Sequence, residues 1–240
     1  MPADAPPVRP TRSSPPGLLR AAWIVAQKDL AIELRTRSAF LSVVVFAVLG
    51  LVIFFFAWDS TAVSALDLAP GVLWVTFTFA GLLGLHRSFG VEVQDRAFDA
   101  LLVSPVDREA IYLGKAIANL IFVSAVLLVA VPAVALFYNL PLGRSIVGLG
   151  SVALLAAIGL VAVGTLFSAM TVNTRMAELL LPMLSLPFFV PIVLTSGQAS
   201  TRLLAGRPLA EALPWLRILI AFDIVFAVAC TVAFSHTLEE

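Results

Sequence analysis

Six separate stretches of about twenty predominantly apolar residues recur along the 240-residue chain, and no other feature narrows the fold as much. A helix needs about 20 such residues to cross the hydrocarbon core of a bilayer. Lipid offers the backbone no hydrogen bonds, so runs of this kind become helices, whose backbone satisfies itself. The runs cover residues 39–58, 68–85, 116–138, 146–170, 177–195 and 217–235. The fifth holds Pro182, Pro187 and Pro191 and is expected to be kinked or broken. The sixth is expected to be the least apolar, because Asp223 interrupts it. Composition agrees: only 12% of residues are charged, against roughly 25% in soluble domains. The predicted fold class is an all-α integral membrane protein with six transmembrane helices.

Orientation is read from the short loops, since Lys and Arg accumulate on the cytoplasmic side. The segment before the first run holds Arg9, Arg12, Arg20, Lys28, Arg35 and Arg37. The connection between runs two and three adds Arg87, Arg96, Arg108 and Lys115, and Arg175 joins them after run four. The opposite side has only Arg144, Arg202, Arg207 and Arg217. Both termini are therefore expected in the cytoplasm. The net charge of zero gives no reason to expect a nucleic-acid partner. Cys230 is a lone cysteine in an apolar run and is read as a packing residue. Residues 1–16, with six prolines and no apolar core, are read as a disordered tail rather than a signal peptide. Residues 17–240 are read as a single transmembrane domain.

Two segments outside the spans have amphipathic patterning. In residues 17–34, Leu19, Trp23, Ala26 and Leu30 recur at helical spacing while Arg20, Lys28 and Glu33 interrupt. Such a helix suits the membrane interface; the alternative is an extension of the first span. Residues 86–115 form a connection far longer than the usual 2–8 residues between helices. Within it, residues 90–104 are expected to form a cytoplasmic helix with Phe98, Leu101 and Leu102 on one face and Asp95 and Asp99 on others. Ser104-Pro105 ends it, and Asp107 and Glu109 open the third span. An apolar face flanked by acids favours a protein partner over anionic lipid; a solvated loop is the bland alternative.

The stretch VEVQDRAFDALLVSPVDR at 91–108, followed by YLGK at 112–115, resembles the cytoplasmic loop of ABC-2-type transporter permeases. LAPGVLWV at 68–75, LPMLSLP at 181–187 and LIAFD at 219–223 narrow the resemblance to the cytochrome c maturation protein B family, the haem exporter permease subunit. That resemblance implies a bacterial inner-membrane subunit paired with a separate soluble ATPase. It also implies a haem-handling membrane partner and a periplasmic haem chaperone; a homodimer is a further partner that the sequence leaves open. ATP would be bound by the partner subunit, with haem as the cargo. In one version haem is exported or delivered; in another, ATP hydrolysis releases the loaded chaperone.

The chain itself lacks a phosphate-binding loop. Gly114-Lys115 has Glu109 where the upstream glycine would stand. The 90–104 helix is accordingly the candidate for coupling to the ATPase. Haem ligation finds no support: His86 and His236 fall at the cytoplasmic ends of spans, Met170 and Met176 flank the short cytoplasmic turn after the fourth run, and Met183 lies within the fifth. No catalytic, cofactor-binding or metal-ligating residue is assigned. Asp223 is the one acid well inside a span, placed about six residues from its periplasmic end, and is read as either a structural hydrogen-bonding group or a functional one. Glu178 beside Arg175 is read as an interfacial pair, and Gly114, Ala118, Gly148, Gly159 and Gly164 as points of close helix approach. The competing functions are an ABC-2 permease for lipid, polysaccharide or drug, and a membrane scaffold that moves nothing through itself.

Overall fold

The structure, a computed structural model, describes residues 17–94, 108–143, 145–171, 174 and 176–237. These form seven α-helices and no strand: α1 (Leu18–Thr36), α2 (Ser38–Ala57), α3 (Ala65–Gln94), α4 (Arg108–Phe137), α5 (Ile146–Thr171), α6 (Ala177–Leu204) and α7 (Leu209–Thr237). Helices α2 to α7 are each long and apolar enough to cross a membrane.

Local chemistry explains the helix ends. Arg37 adopts a left-handed conformation (φ 54°), and its N–H bonds Glu33 O at 2.7 Å, closing α1. The next residue already opens α2, whose first turn donates the Phe40 N–H to the Glu33 carboxylate at 2.8 Å. A carboxylate at a helix N-terminus satisfies an orphan donor and opposes the positive end of the dipole. The α3 N-terminus uses a reciprocal cap, in which Ser64 Oγ bonds Asp67 Oδ2 at 2.6 Å and accepts the Asp67 N–H at 3.3 Å.

Helix α3 is the centre of the bundle. It packs against α2, α4, α5 and α6, and Trp74, Phe77 and Leu85 are fully enclosed. Neighbouring spans are joined by hydrogen bonds across their interfaces. Trp74 Nε1 donates to Ser200 Oγ (3.0 Å), Tyr112 Oη to Ala162 O (2.8 Å), Asn119 Nδ2 to Thr165 Oγ1 (3.0 Å) and Ser168 Oγ to Leu85 O (2.8 Å). Close approach comes from small residues. A Cβ added at Gly164 would collide with Leu85, and one at Gly159 would lie 2.6 Å from Asp223 Oδ1. The outer surface is apolar, with Ile53, Phe56, Leu128, Leu136 and Val228 all exposed. An uninterrupted apolar exterior of this kind is a lipid-facing belt, not the surface of a soluble domain.

Several expectations need correcting. Of the two outcomes expected from the three prolines, a kink or a break, the break does not occur, because α6 runs continuously from Ala177 to Leu204. Proline removes a donor, and neighbouring groups in a bundle re-satisfy the freed carbonyls. The least apolar span is the second, not the sixth: mean hydropathy at best is 1.8 in α3 and 2.2 in α7. The reason is composition: in α7 the many Ile, Val, Leu and Phe side chains around Asp223 outweigh one acid, while the α3 span carries Thr76, Thr78, Pro70, Gly71, Gly81 and Gly84. The connection after α3 is also shorter than expected, since α3 continues to Gln94 and α4 begins at Arg108. Residues 90–94, expected to start a separate coupling helix, are the last turn of α3. Finally, α1 buries Ala21, Ala22, Val25 and Ala26 against α4, so Ala26 belongs to the protein-facing side while Leu19 and Trp23 stay exposed.

Candidate functional site

Asp95, Phe98, Asp99, Leu101 and Leu102, the expected ATPase-coupling residues, lie outside the described residues, as do residues 1–16, Arg175 and the side chains of Glu178 and His236. Asp223 is well described. It is the fifteenth of the 29 residues of α7 and so sits at mid-helix, not near an end as the sequence suggested. The earlier start of α7 at Leu209 moves it inward. Its neighbours are mid-helix too, with Gly159 of α5 against Oδ1 and Ile192 of α6 alongside.

The Asp223 side chain is 6% exposed, and neither carboxylate oxygen has a hydrogen-bond partner among the described residues. A purely structural acid would be expected to bond a neighbouring hydroxyl or amide. An Asp at the centre of a spanning helix costs about 2.5–3.5 kcal/mol on insertion scales. With no internal hydrogen bond to offset that cost, the structural reading of Asp223 loses its support. What makes room for the carboxylate is Gly159, because any side chain there would occupy the position of Oδ1.

A second polar site was not anticipated. Lys115 is completely enclosed where α1 crosses α4, and its Nζ bonds Asp29 Oδ2 at 3.1 Å. Lys28 Nζ reaches the other oxygen of Asp29 at 3.1 Å. Gly114 makes this crossing possible, since a Cβ there would lie 2.6 Å from both Ala22 O and Val25 Cβ. By sequence alone Lys115 is one of the loop cations that set the orientation. The available signal was the helix start at Asp107 and Glu109, which places Lys115 two turns inside a helix and beside a glycine.

Beside this crossing lies a cavity of about 640 Å³ between α1, the start of α2, the end of the α3 span and the middle of α4. Arg37 and Arg87 stand at its rim, and Leu34, Phe40, Ile121 and Phe122 form its walls. At the other end of the bundle, Trp58 and Tyr138 pack 5.4 Å apart and Arg202 lies 5.0 Å over the Trp215 ring. Amphipathic aromatics concentrate at membrane interfaces. Among the described residues, no three His, Cys, Asp or Glu side chains converge as a metal site.

A six-span helical bundle with a lipid-facing exterior and an α1 helix packed across α4 defines a multi-pass α-helical membrane protein. The family model described as CcmB protein matches residues 20–240, and the chain belongs to that family. It is 29% identical over 225 residues to a Heme exporter protein B of Bradyrhizobium diazoefficiens, covering 92% of this chain and 99% of that one. Identity is 33% over 149 residues with the Heme exporter protein B of Paracoccus denitrificans, covering 62% of this chain and 68% of the relative. The match to the protein of that name in Rhodobacter capsulatus is also 33% identical and spans 62% of the relative's length.

Proposed function

We propose that this chain is the membrane permease subunit of an ATP-driven complex that handles haem for c-type cytochrome biogenesis in a bacterial inner membrane. The observation that carries the reading is the family match over residues 20–240 on a chain whose six spanning helices fall inside it. Relatives aligned along most of their length bear the name Heme exporter protein B. ATP hydrolysis comes from a separate subunit, in keeping with a sequence that lacks a phosphate-binding loop. The termini lie in the cytoplasm, as the distribution of Lys and Arg favours. On that orientation, residues 86–115 face the ATPase, and Phe98, Leu101 and Leu102, flanked by Asp95 and Asp99, form the docking face.

Haem iron is ligated by a partner, since no histidine falls on the expected periplasmic side. Asp223, enclosed at mid-helix with no hydrogen-bond partner among the described residues, is the intramembrane polar candidate for a functional role. Burying the three docking side chains contributes several kcal/mol, at roughly 1.5–3 each, which matters to a micromolar complex of about 8 kcal/mol. The test is co-purification of the ATPase with the Phe98→Ala/Leu101→Ala variant, together with haem staining of c-type cytochromes in a strain lacking the wild-type chain. Loss of the ATPase, or its retention with no cytochrome maturation, supports the reading. ATPase at the native ratio with normal maturation overturns the docking face. Normal maturation in the strain lacking the chain altogether overturns the function.

A further inference from the structure

The cavity beside the α1–α4 crossing has a chemistry that the transport reading does not use. Arg37 immediately precedes the first residue of α2, and Arg87 lies within α3 two positions after the apolar run 68–85 ends. Both guanidinium groups therefore stand at the level where hydrocarbon gives way to headgroups. Below them, Leu34, Leu41 and Ile121 line the cavity and are exposed, and Phe40 and Phe122 meet edge to face with ring centroids 6.0 Å apart. Gly84 leaves room for the Phe122 ring, whose Cε1 lies 2.6 Å from where a Cβ would be.

Charge decides what kind of occupant fits. Two acids also line the cavity, and both are engaged: Asp29 is held by Lys28 and Lys115, and Glu33 accepts the Phe40 N–H at the start of α2. The arginines are not matched in this way. Arg37 donates one Nε hydrogen bond to Leu34 O at 3.2 Å, and neither Arg37 nor Arg87 has a carboxylate partner among the described residues. Two cations at headgroup depth above an apolar cleft are complementary to an anionic amphiphile.

We propose that this cavity binds one anionic phospholipid, its phosphate between Arg37 and Arg87 and one acyl chain along Phe40 and Ile121. A lipid is the natural occupant of a cleft whose walls lie within the bilayer. Its selectivity for an anionic headgroup comes from guanidinium groups that a zwitterionic headgroup meets with its own opposing charge. The bound lipid fills the angle between α1 and the spans and so fixes α1 against α2 and α4.

Native mass spectrometry of the detergent-solubilised full chain, with phosphatidylglycerol or phosphatidylcholine of the same acyl chains, tests the assignment. The wild type is expected to favour phosphatidylglycerol by about thirtyfold, the scale of two interfacial cations. Arg37→Asn/Arg87→Gln is expected to abolish that preference; asparagine tolerates the left-handed backbone at residue 37. Arg35→Gln removes a nearby cation that does not line the cavity and should leave the preference intact. Ala125→Trp, which fills the cleft, should lose both lipids. Equal binding of the two lipids by the wild type overturns the proposal, as does a double variant that keeps the preference or an Arg35→Gln variant that loses it. Haem that displaces phosphatidylglycerol from the wild type and binds less well to the double variant reassigns the cavity to a haem carboxylate and overturns it too.

Discussion

Helices α2 and α3 are consecutive spans of one bundle, yet they meet the membrane in opposite ways. The most apolar stretch of α2 reaches a mean hydropathy of 3.0 and is only 17% buried within the protein; that of α3 reaches 1.8 and is 72% buried. In a soluble protein the more apolar helix would be the buried one. Lipid reverses the rule, because hydrocarbon tails solvate Leu and Ile as well as another helix does. A helix removed from lipid can carry hydroxyls, a proline and glycines along its protein-facing sides. Thr76, Thr78, Pro70, Gly81 and Gly84 are all buried in α3, while α2 carries phenylalanine and aliphatic side chains outward. The lesson extends to the functional chemistry: Asp223 and Lys115, like α3, are enclosed and polar.

The comparison breaks most readily at Trp74. Trp74→Ala empties a fully enclosed site and leaves Ser200 without its partner, so it should cost about 3–5 kcal/mol, read as a lowered unfolding midpoint in detergent. A loss below about 1 kcal/mol would mean that α3 is not the packing centre. Next in size is Asp29→Ala, which leaves the enclosed Lys115 with a lost partner and should cost about 3 kcal/mol. Adding Lys115→Met should recover most of that loss; failure to do so would show that the pair contributes no more than volume.

Gly164→Leu drives a side chain into Leu85 and Phe189 and should cost about 1–3 kcal/mol by overpacking. The matching change on the lipid face, Ile53→Ala at a 64% exposed position, should stay within about 0.5 kcal/mol. If the α2 change costs as much as Gly164→Leu, then α2 contacts a partner chain at that face. Asp223→Ala should cost no stability and should if anything raise it, since the enclosed carboxylate gives up no hydrogen bond among the described residues. Its expected effect is on function, as reduced cytochrome c maturation at normal membrane levels. Asp223→Asn should match it if charge matters and be milder if polarity suffices. Full maturation with Ala would leave Asp223 without a role.

The six apolar runs, their order and the family were legible in the sequence because spanning a bilayer requires about 20 apolar residues in a row, whichever way a helix faces. The helix at 17–34 was legible from its spacing, and so were the close approaches at Gly114, Gly159 and Gly164, because small residues in spans mark tight contacts. What the sequence could not decide is which side of each span meets protein. Hydropathy treats lipid and core alike, so nothing in the composition ranked α3 above α2 as the centre. The Asp29–Lys115 pair joins residues 86 positions apart, and only the crossing of α1 over α4 brings them within reach. Asp223 could be read as buried but not as central, because its depth depends on where α7 begins, and of its first two turns only Ala212 and Leu216 are enclosed by the bundle.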